Sequence, residues 1–123
     1  MSASFGKSAR IAALNDALRA RLGVPTFGTP QVPGKFVMTR GIMALSPAHQ
    51  IELWFRVRDY AAFTDENDPY GEHDFGSLEL VAGTRIFWKI DYFADNDCEF
   101  GAENPDDPAT SFRVLTIMLA QEW

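Results

Sequence analysis

The sequence predicts an α+β fold in which helices pack on one face of a mainly antiparallel sheet. Apolar residues recur at helical spacing in three stretches, and two apolar segments joined by a glycine follow the second of them. The resulting order α, β, α, β, β, β, α favours helices layered on a sheet. With 123 residues and 46% hydrophobic composition, we expect one globular domain over residues 1–123.

The first predicted helix runs from about Ser8 to Leu22, with Ser8 as N-cap and Gly23 just beyond the end. Its apolar stripe comprises Ile11, Leu14, Leu18 and Leu22. Three arginines fall mostly off that stripe: Arg10, Arg19 and Arg21. Residues 24–34 contain three Pro and two Gly, so we expect a loop there.

A first strand is predicted at residues 36–38, and it could pair at either edge of the sheet. The second helix follows Ser46 and Pro47, a good N-cap and a Pro at the first helical position, and is expected to reach Ala62. Its apolar face comprises Leu53, Trp54, Val57 and Ala61.

The segments DFGSLELV and TRIFWKIDYF are predicted to form a hairpin. A three-residue loop at 82–84 would set Leu80 opposite Ile86, and it would also set Leu78 opposite Trp88. A two-residue loop would set Leu80 against a charged residue. We expect the three-residue loop because a slip of one residue moves every side chain to the other face.

A turn at residues 95–97 is expected to add a third strand, with Tyr92 facing Phe100, and so to complete a three-stranded meander. The last predicted element is a helix that begins at Asp107 and Pro108. Its apolar stripe comprises Phe112, Leu115, Met118 and Leu119. Val114, Thr116 and Ile117 lower the helix propensity of this segment.

Charge is unevenly distributed along the chain, whose formal net charge is -6. Residues 1–63 hold eight Lys or Arg and three acids, whereas residues 64–107 hold thirteen acids and only Arg85 and Lys89. Such an asymmetry can steer a basic protein partner and opposes contact of the acidic part with a phosphate backbone. The alternative is that the acids lie in solvated loops and the two halves neutralise each other. The predicted binding acids are Asp95, Asp97, Glu99, Glu103, Asp106 and Asp107.

The outer face of the predicted hairpin mixes aromatic and charged side chains. Lys89 and Asp91 alternate with apolar residues, and Phe87 and Phe93 share their face. Binding surfaces often have this composition, so Phe87 and Phe93 are further candidate binding residues. The alternative is that a loop or helix covers this face.

The stretch NDPYGEHDFG, residues 67–76, combines strong turn formers with Glu72, His73 and Asp74, the candidate acid–base residues. In a strand, however, His73 would project away from both neighbours unless the chain bends there. A metal could be held by Asp65, Asp68, His73, Asp74 and Asp91. The stretch fails as an EF-hand loop because Gly stands where the bidentate Glu belongs. The favoured interpretation is that these residues cap and brace a turn, without metal or cofactor.

Composition excludes several classes of protein. Cys98 is the only cysteine, which excludes an intramolecular disulfide and a cysteine-based zinc cage. The N-terminal residues lack an unbroken apolar core and so predict neither a signal peptide nor a membrane span. We therefore expect a cytoplasmic protein without membrane contact.

The blocks GEHDFG, RIFWKIDYF and RVLTIMLAQEW, with IAALNDALR near the start and VMTRGI before the second helix, resemble a small bacterial family. That family is catalogued only as a domain of unknown function, and its members are often encoded on plasmids and other mobile elements. The resemblance covers nearly the whole chain after residue 10, although the loop at 24–34 is longer than the family's usual join. It implies no catalytic residue. It does imply a setting in which small acidic proteins inhibit or modulate host systems.

Two functions follow as hypotheses. The favoured one is an acidic, non-enzymatic interaction module that binds a host protein with a basic surface, in its sharpest form an inhibitor of nucleic-acid-handling defence machinery. The alternative is a small metal-assisted hydrolase centred on His73 and Asp74. A structural role for GEHD, pinning a helix to the sheet, is a third possibility.

Overall fold

A computed structural model describes residues 3–24 and 31–123, so most of the predicted loop at 24–34 lies outside the described residues. The helices are α1 (Ala3–Arg19), α2 (Arg40–Met43) and α3 (Pro47–Arg58). The strands are β1 (Gly34–Met38), β2 (Phe75–Glu79), β3 (Arg85–Phe93) and β4 (Phe112–Leu119), and a 3₁₀ turn follows at Ala120–Glu122. None of the helices within these ranges is long and apolar enough to cross a membrane.

The four strands form one mixed sheet in the order β1-β4-β3-β2. β1 pairs with β4 in parallel, whereas β3 pairs with both β4 and β2 in antiparallel fashion. The predicted α+β class is confirmed. The sheet contains one parallel pair because β1 lies beside β4, the last strand of the chain.

The prediction of a helix in the last segment is wrong, because residues 112–119 form the central strand β4. Both faces of this strand are largely buried, so its apolar residues run almost continuously and imitate the stripe of a helix. Val114, Thr116 and Ile117 favour an extended chain. Their β-propensity outweighs the helix-start signal of Asp107 and Pro108.

The predicted hairpin is present, but its register differs by two residues. Leu78, rather than Leu80, lies opposite Ile86. Leu80 instead bonds to Thr84, which leaves a three-residue loop at 81–83. Gly83 in this loop has a φ of 93°, a conformation that favours glycine. Because the shift is an even number of residues, the predicted apolar face is retained.

The third strand of the predicted meander does not form. After β3 only one isolated bridge, between Phe93 and Gly101, continues the pairing. The chain then runs through turns over residues 102–111 before it enters β4. β4 occupies the position beside β3 at which the third strand of the meander is expected.

The helix boundaries differ from the predicted ones. α1 begins at Ala3, so Ser8 lies inside the helix and is not its N-cap. Ser46 does cap α3, since its side chain accepts a hydrogen bond from the His49 amide. α3 ends at Arg58, which leaves Ala61 outside the helix and exposed.

The helices pack on one face of the sheet and share its core. From the helices this buried cluster includes Leu18, Ile42, Leu53 and Val57, and from the sheet it includes Leu78, Ile86, Trp88, Leu115 and Ile117. Trp88 is fully buried and lies against Gly76 of the neighbouring strand. A Cβ atom on Gly76 would overlap the indole ring of Trp88. The glycine of the DFG tripeptide therefore makes room for a core side chain.

Replacing Gly76 by alanine should destabilise the fold by about 1–3 kcal/mol, because the buried indole cannot move away from the added methyl group. Urea unfolding measures the change. The control is Gly101→Ala, whose Cβ would meet nothing closer than 3.9 Å, and whose effect should stay within about 0.5 kcal/mol. Equal stability of Gly76→Ala and the parent would contradict the close packing.

Candidate functional site

His73 lies at the bend that leads into β2. Its φ is 57°, so the chain does bend and the ring is not directed as in a strand. The ring Nδ1 lies 2.9 Å from Oδ1 of Asp16 in α1, and the ring stacks on Phe63 with the centroids 3.9 Å apart. Asp16 therefore orients His73, rather than its sequence neighbours Glu72 and Asp74.

Asp68 holds the same bend from the other side. Its carboxylate accepts hydrogen bonds from the backbone amides of Glu72 and His73, at 3.1 and 3.3 Å. Its Oδ2 lies 3.8 Å from Nε2 of His73, and its side chain is only 7% exposed. These contacts brace a turn, as Asp side chains commonly do.

Arg19 joins α1 to the end of α3. It is buried, so the expectation that it lies off the apolar stripe is wrong. Its guanidinium bonds Asp16 at 2.7 Å and lies over the Trp88 ring. It also donates to three carbonyls at the end of α3, those of Val57, Arg58 and Tyr60. A cation suits this position because the last carbonyls of a helix lack partners and carry partial negative charge.

Asn15 is the centre of a buried polar network. It is fully buried, and its Nδ2 donates to the Glu72 carbonyl at 2.9 Å and to the Tyr92 hydroxyl oxygen at 2.8 Å. Its Oδ1 accepts a 2.6 Å hydrogen bond from Nε of Arg113. One side chain of α1 thereby contacts the segment before β2 and both central strands.

Arg113 extends this network into the connection between β3 and β4. Its guanidinium, also fully buried, donates to the Ser111 hydroxyl at 3.0 Å and to the Pro105 carbonyl. Burial lowers the pKa of Arg113, but arginine stays charged in proteins. Burial has the opposite effect on Tyr92 and raises the pKa of its hydroxyl far above the ordinary value. The hydroxyl therefore keeps its proton and donates to Glu72 at 3.0 Å.

Asp74 is partly buried and lies just before β2. Burial, followed by the negative charge of Glu72, raises the pKa of its carboxyl above the ordinary value of 3.8. Asp68 and Asp91 add smaller effects of the same sign. A buried carboxylate among like charges can mark a functional site, although structural networks produce the same effect.

The candidate metal ligands do not converge. Within residues 3–24 and 31–123 no group of three or more His, Cys, Asp or Glu side chains could hold a metal ion. Asp91 is engaged with Lys89 at 3.0 Å, and His73 and Asp68 make the contacts given above. The metal-assisted hydrolase centred on His73 and Asp74 therefore stays a hypothesis without an assembled ligand set.

The sheet topology gathers acidic residues at one end of the molecule. β1, β2 and β4 begin, and β3 ends, at the same end of the sheet. Residues 64–74, which enter β2, and residues 94–111, which join β3 to β4, therefore both lie there. These two segments, here called the acidic end, hold eleven of the seventeen acids and no Lys or Arg.

The acids of the acidic end differ in their contacts. Asp106 pairs with Arg10 at 2.9 Å, and the hydrogen bond from Arg10 lowers the pKa of Asp106. Asp107 accepts hydrogen bonds from residues 109 and 110 and so holds a turn. Six acids are exposed and form no salt bridge with any described residue: Asp65, Glu66, Asp95, Asp97, Glu99 and Glu103.

Phe87 and Phe93 lie on the sheet face opposite the helices. Phe87 contacts Phe75 and Trp123, with ring centroids 5.6 and 5.8 Å apart. Trp123 thus covers part of this face. Phe93 lies opposite Phe112 at the acidic end of the sheet.

Sequence reasoning missed four residues that organise this region: Asn15, Asp16, Arg19 and Arg113. Asn15 and Arg19 follow Ile11 at intervals of four, which places them on the buried side of α1. Polar residues on the side of α1 that otherwise carries apolar residues could have indicated a buried polar network. Arg113 could not be recognised while its segment was interpreted as a helix.

Replacing Asn15 by alanine should destabilise the protein by about 2–4 kcal/mol, because the buried Nε donor of Arg113 and the partly buried carbonyl of Glu72 lose their partner. Chemical unfolding measures the loss. The control Asn96→Ala, at an exposed turn position, should change stability by less than about 0.5 kcal/mol. Similar effects of both variants would argue against the network.

Replacing Asp74 by asparagine should raise the melting midpoint at pH 7 by about 2–4 °C. The raised pKa means that the ionised carboxylate destabilises the folded state at neutral pH. The gain should shrink as pH falls through the raised pKa and vanish below about 3.8, where both states are protonated. Melting curves from pH 3 to 7 test this, with exposed Asp65→Asn as control. A lower midpoint of Asp74→Asn at pH 7 would contradict it.

Comparison with known proteins identifies a family. No curated protein and no solved structure matches the chain. A family model described as "Protein of unknown function (DUF3768)" matches residues 38–122, which include both segments of the acidic end but not the IAALNDALR block in α1. Because this match covers more than half of the sequence, the chain belongs to the DUF3768 family of proteins of unknown function.

Proposed function

We propose that this protein is a non-enzymatic interaction module whose acidic end binds a basic surface of another protein. One observation carries the proposal: eleven acids without a single Lys or Arg lie in two segments that meet at the same end of the sheet. A concentration of one sign of charge accelerates encounter with an oppositely charged surface and disfavours partners of like charge.

Exposed aromatic residues among these acids support a protein partner. Tyr70 is 79% exposed and Phe100 is 74% exposed, and each lies between acidic neighbours in its segment. Exposing a large aromatic ring gives a solvated loop no stability. At protein interfaces, in contrast, aromatic side chains surrounded by polar residues contribute much of the binding energy. Tyr70 and Phe100 are therefore added to the candidate binding residues.

Preorganisation of the acidic end also supports binding. The contacts of Asn15 and Arg113 fix the backbone at Glu72 and Pro105, and Arg10 fixes Asp106. Segments that are already held in place lose less conformational entropy on binding. Asp106 and Asp107 form the contacts that hold residues 94–111 in place. The better candidates for contact with a partner are therefore the exposed acids: Asp95, Asp97, Glu99 and Glu103.

The resemblance to plasmid-borne proteins suggests a bacterial host protein as the partner. Carboxylates that face Lys and Arg side chains compete with nucleic-acid phosphates for the same cations. The finer proposal is therefore an inhibitor of nucleic-acid-handling or defence machinery. The acidic end itself would not bind DNA or RNA.

The double reversal Glu99→Lys and Glu103→Lys should weaken partner binding at least 10-fold. Tagged protein at about 50 mM salt is used to recover partners from a bacterial lysate, and affinities for the purified partner are then measured at rising salt, which should weaken binding.

The matched control replaces four exposed alanines outside the acidic end, Ala13, Ala17, Ala44 and Ala48, by lysine, which raises the net charge by the same four units. It should bind like the parent. Equal binding of this control and the double reversal, or affinity independent of salt, would refute the proposal, whereas loss in the control alone would assign the partner to another surface.

A further inference from the structure

The edge strand β2 has one side without a neighbouring strand. In the sheet order only β3 lies beside it. The Leu80 amide donates to the Thr84 carbonyl, and the Ile90 amide donates to the Asp74 carbonyl. Because hydrogen-bonded pairs recur at every second residue of an antiparallel pair, the even-numbered residues of β2 are the ones that bond to β3. The backbone groups of Phe75, Ser77 and Glu79 consequently point away from the sheet.

Only one of these six outward groups has a partner among the residues that the structure covers. Arg56 donates to the Glu79 carbonyl at 3.0 Å. The three amides and the carbonyls of Phe75 and Ser77 form a row of five groups available for pairing. β2 contains neither Pro nor Lys, two residues that commonly protect an edge from strand addition.

A groove runs beside this edge, between β2 and the second half of α3. Its volume is about 330 Å³, and its lining includes Phe55, Arg56, Asp59 and Tyr60 on one side and Ser77 and Leu78 on the other. Phe55 is 52% exposed there. A strand added to β2 would direct every second side chain into this groove, where an apolar side chain would contact Phe55 and Leu78.

From this geometry we infer that β2 binds an extended peptide segment of a partner protein by strand addition, with an apolar side chain in the groove beside α3. A row of alternating amides and carbonyls is complementary to an extended main chain. This surface is separate from the acidic end and goes beyond the proposed function.

A second copy of the chain fits this edge less well. If two β2 strands paired, the side chains directed toward the grooves would be those of Gly76 and Leu78. Gly76 has no side chain, and Leu78 is only 7% exposed because it is packed in its own core. Both grooves would stay empty, so the occupant is a segment of a different protein.

A displayed library of random 12-residue peptides, selected on the immobilised full chain, tests the inference. Selected peptides should show alternating apolar residues, and their affinity should fall at least 10-fold for Ser77→Pro. Proline removes the outward amide and adds a ring at the edge, yet leaves the β2–β3 hydrogen bonds intact. Ser77→Ala, which keeps the edge, should bind within about 2-fold of the parent.

Amide hydrogen exchange on the parent protein provides a second readout that does not depend on a variant. A synthetic selected peptide should slow exchange at Phe75, Ser77 and Glu79 at least 10-fold at saturation. The same peptide with N-methyl groups at alternate residues, which blocks one edge of its main chain, should not.

Four results would overturn the inference: no selected peptide, equal binding to Ser77→Pro and the parent, equal protection by the methylated peptide, or protection of these amides in the absence of peptide. A concentration-dependent dimer that protects the same three amides would assign the edge to a second copy and also refute it. None of these results bears on the charge reversals at Glu99 and Glu103.

Discussion

The hydrogen bond between the Arg113 guanidinium and the Asn15 side chain is the contact on which the rest of the molecule depends. Both residues are fully buried, and a buried cation is costly unless its donors are satisfied. No carboxylate forms a salt bridge with Arg113 in the described part of the chain. Oxygens of Asn15, Ser111 and Pro105 satisfy it instead, so α1 and the connection between β3 and β4 must both be in place for the core to close.

The same face of α1 organises the remaining polar contacts. Asp16 orients His73, and Arg19 donates to carbonyls at the end of α3 and just beyond it. These contacts involve charged groups that would be costly to bury alone, and each is completed by a residue far away in sequence. The consequence is that α1 is tied both to the bend before β2 and to the end of α3. Charge is thus concentrated where strand ends meet, while the interior carries the structural polar residues.

A feature of this fold can be predicted from the sequence when the contacts that determine it join residues close together in the sequence. The Ser46 cap and the apolar face of the hairpin follow from neighbouring residues, and both are present. The sequence of Phe112–Leu119 predicts a helix although the segment is a strand, because a strand buried on both faces loses its alternation. Asn15 and Arg113 lie 98 positions apart, so no local pattern could pair them. The acidic segments were recognisable from composition, but only the direction of the strands brings them to one end.

The position of β4 between β1 and β3 has a consequence for how the chain folds. The β2–β3 hairpin is local in sequence and can form early. β1 can pair only after β4 has been made, since its only neighbour is β4 and Phe36 lies opposite Leu115, near the end of the sequence. Such nonlocal pairing slows folding. During synthesis β1 would remain without its neighbour while Phe36 and Met38 stay uncovered, and an interval of this kind is when nascent chains associate wrongly or recruit chaperones.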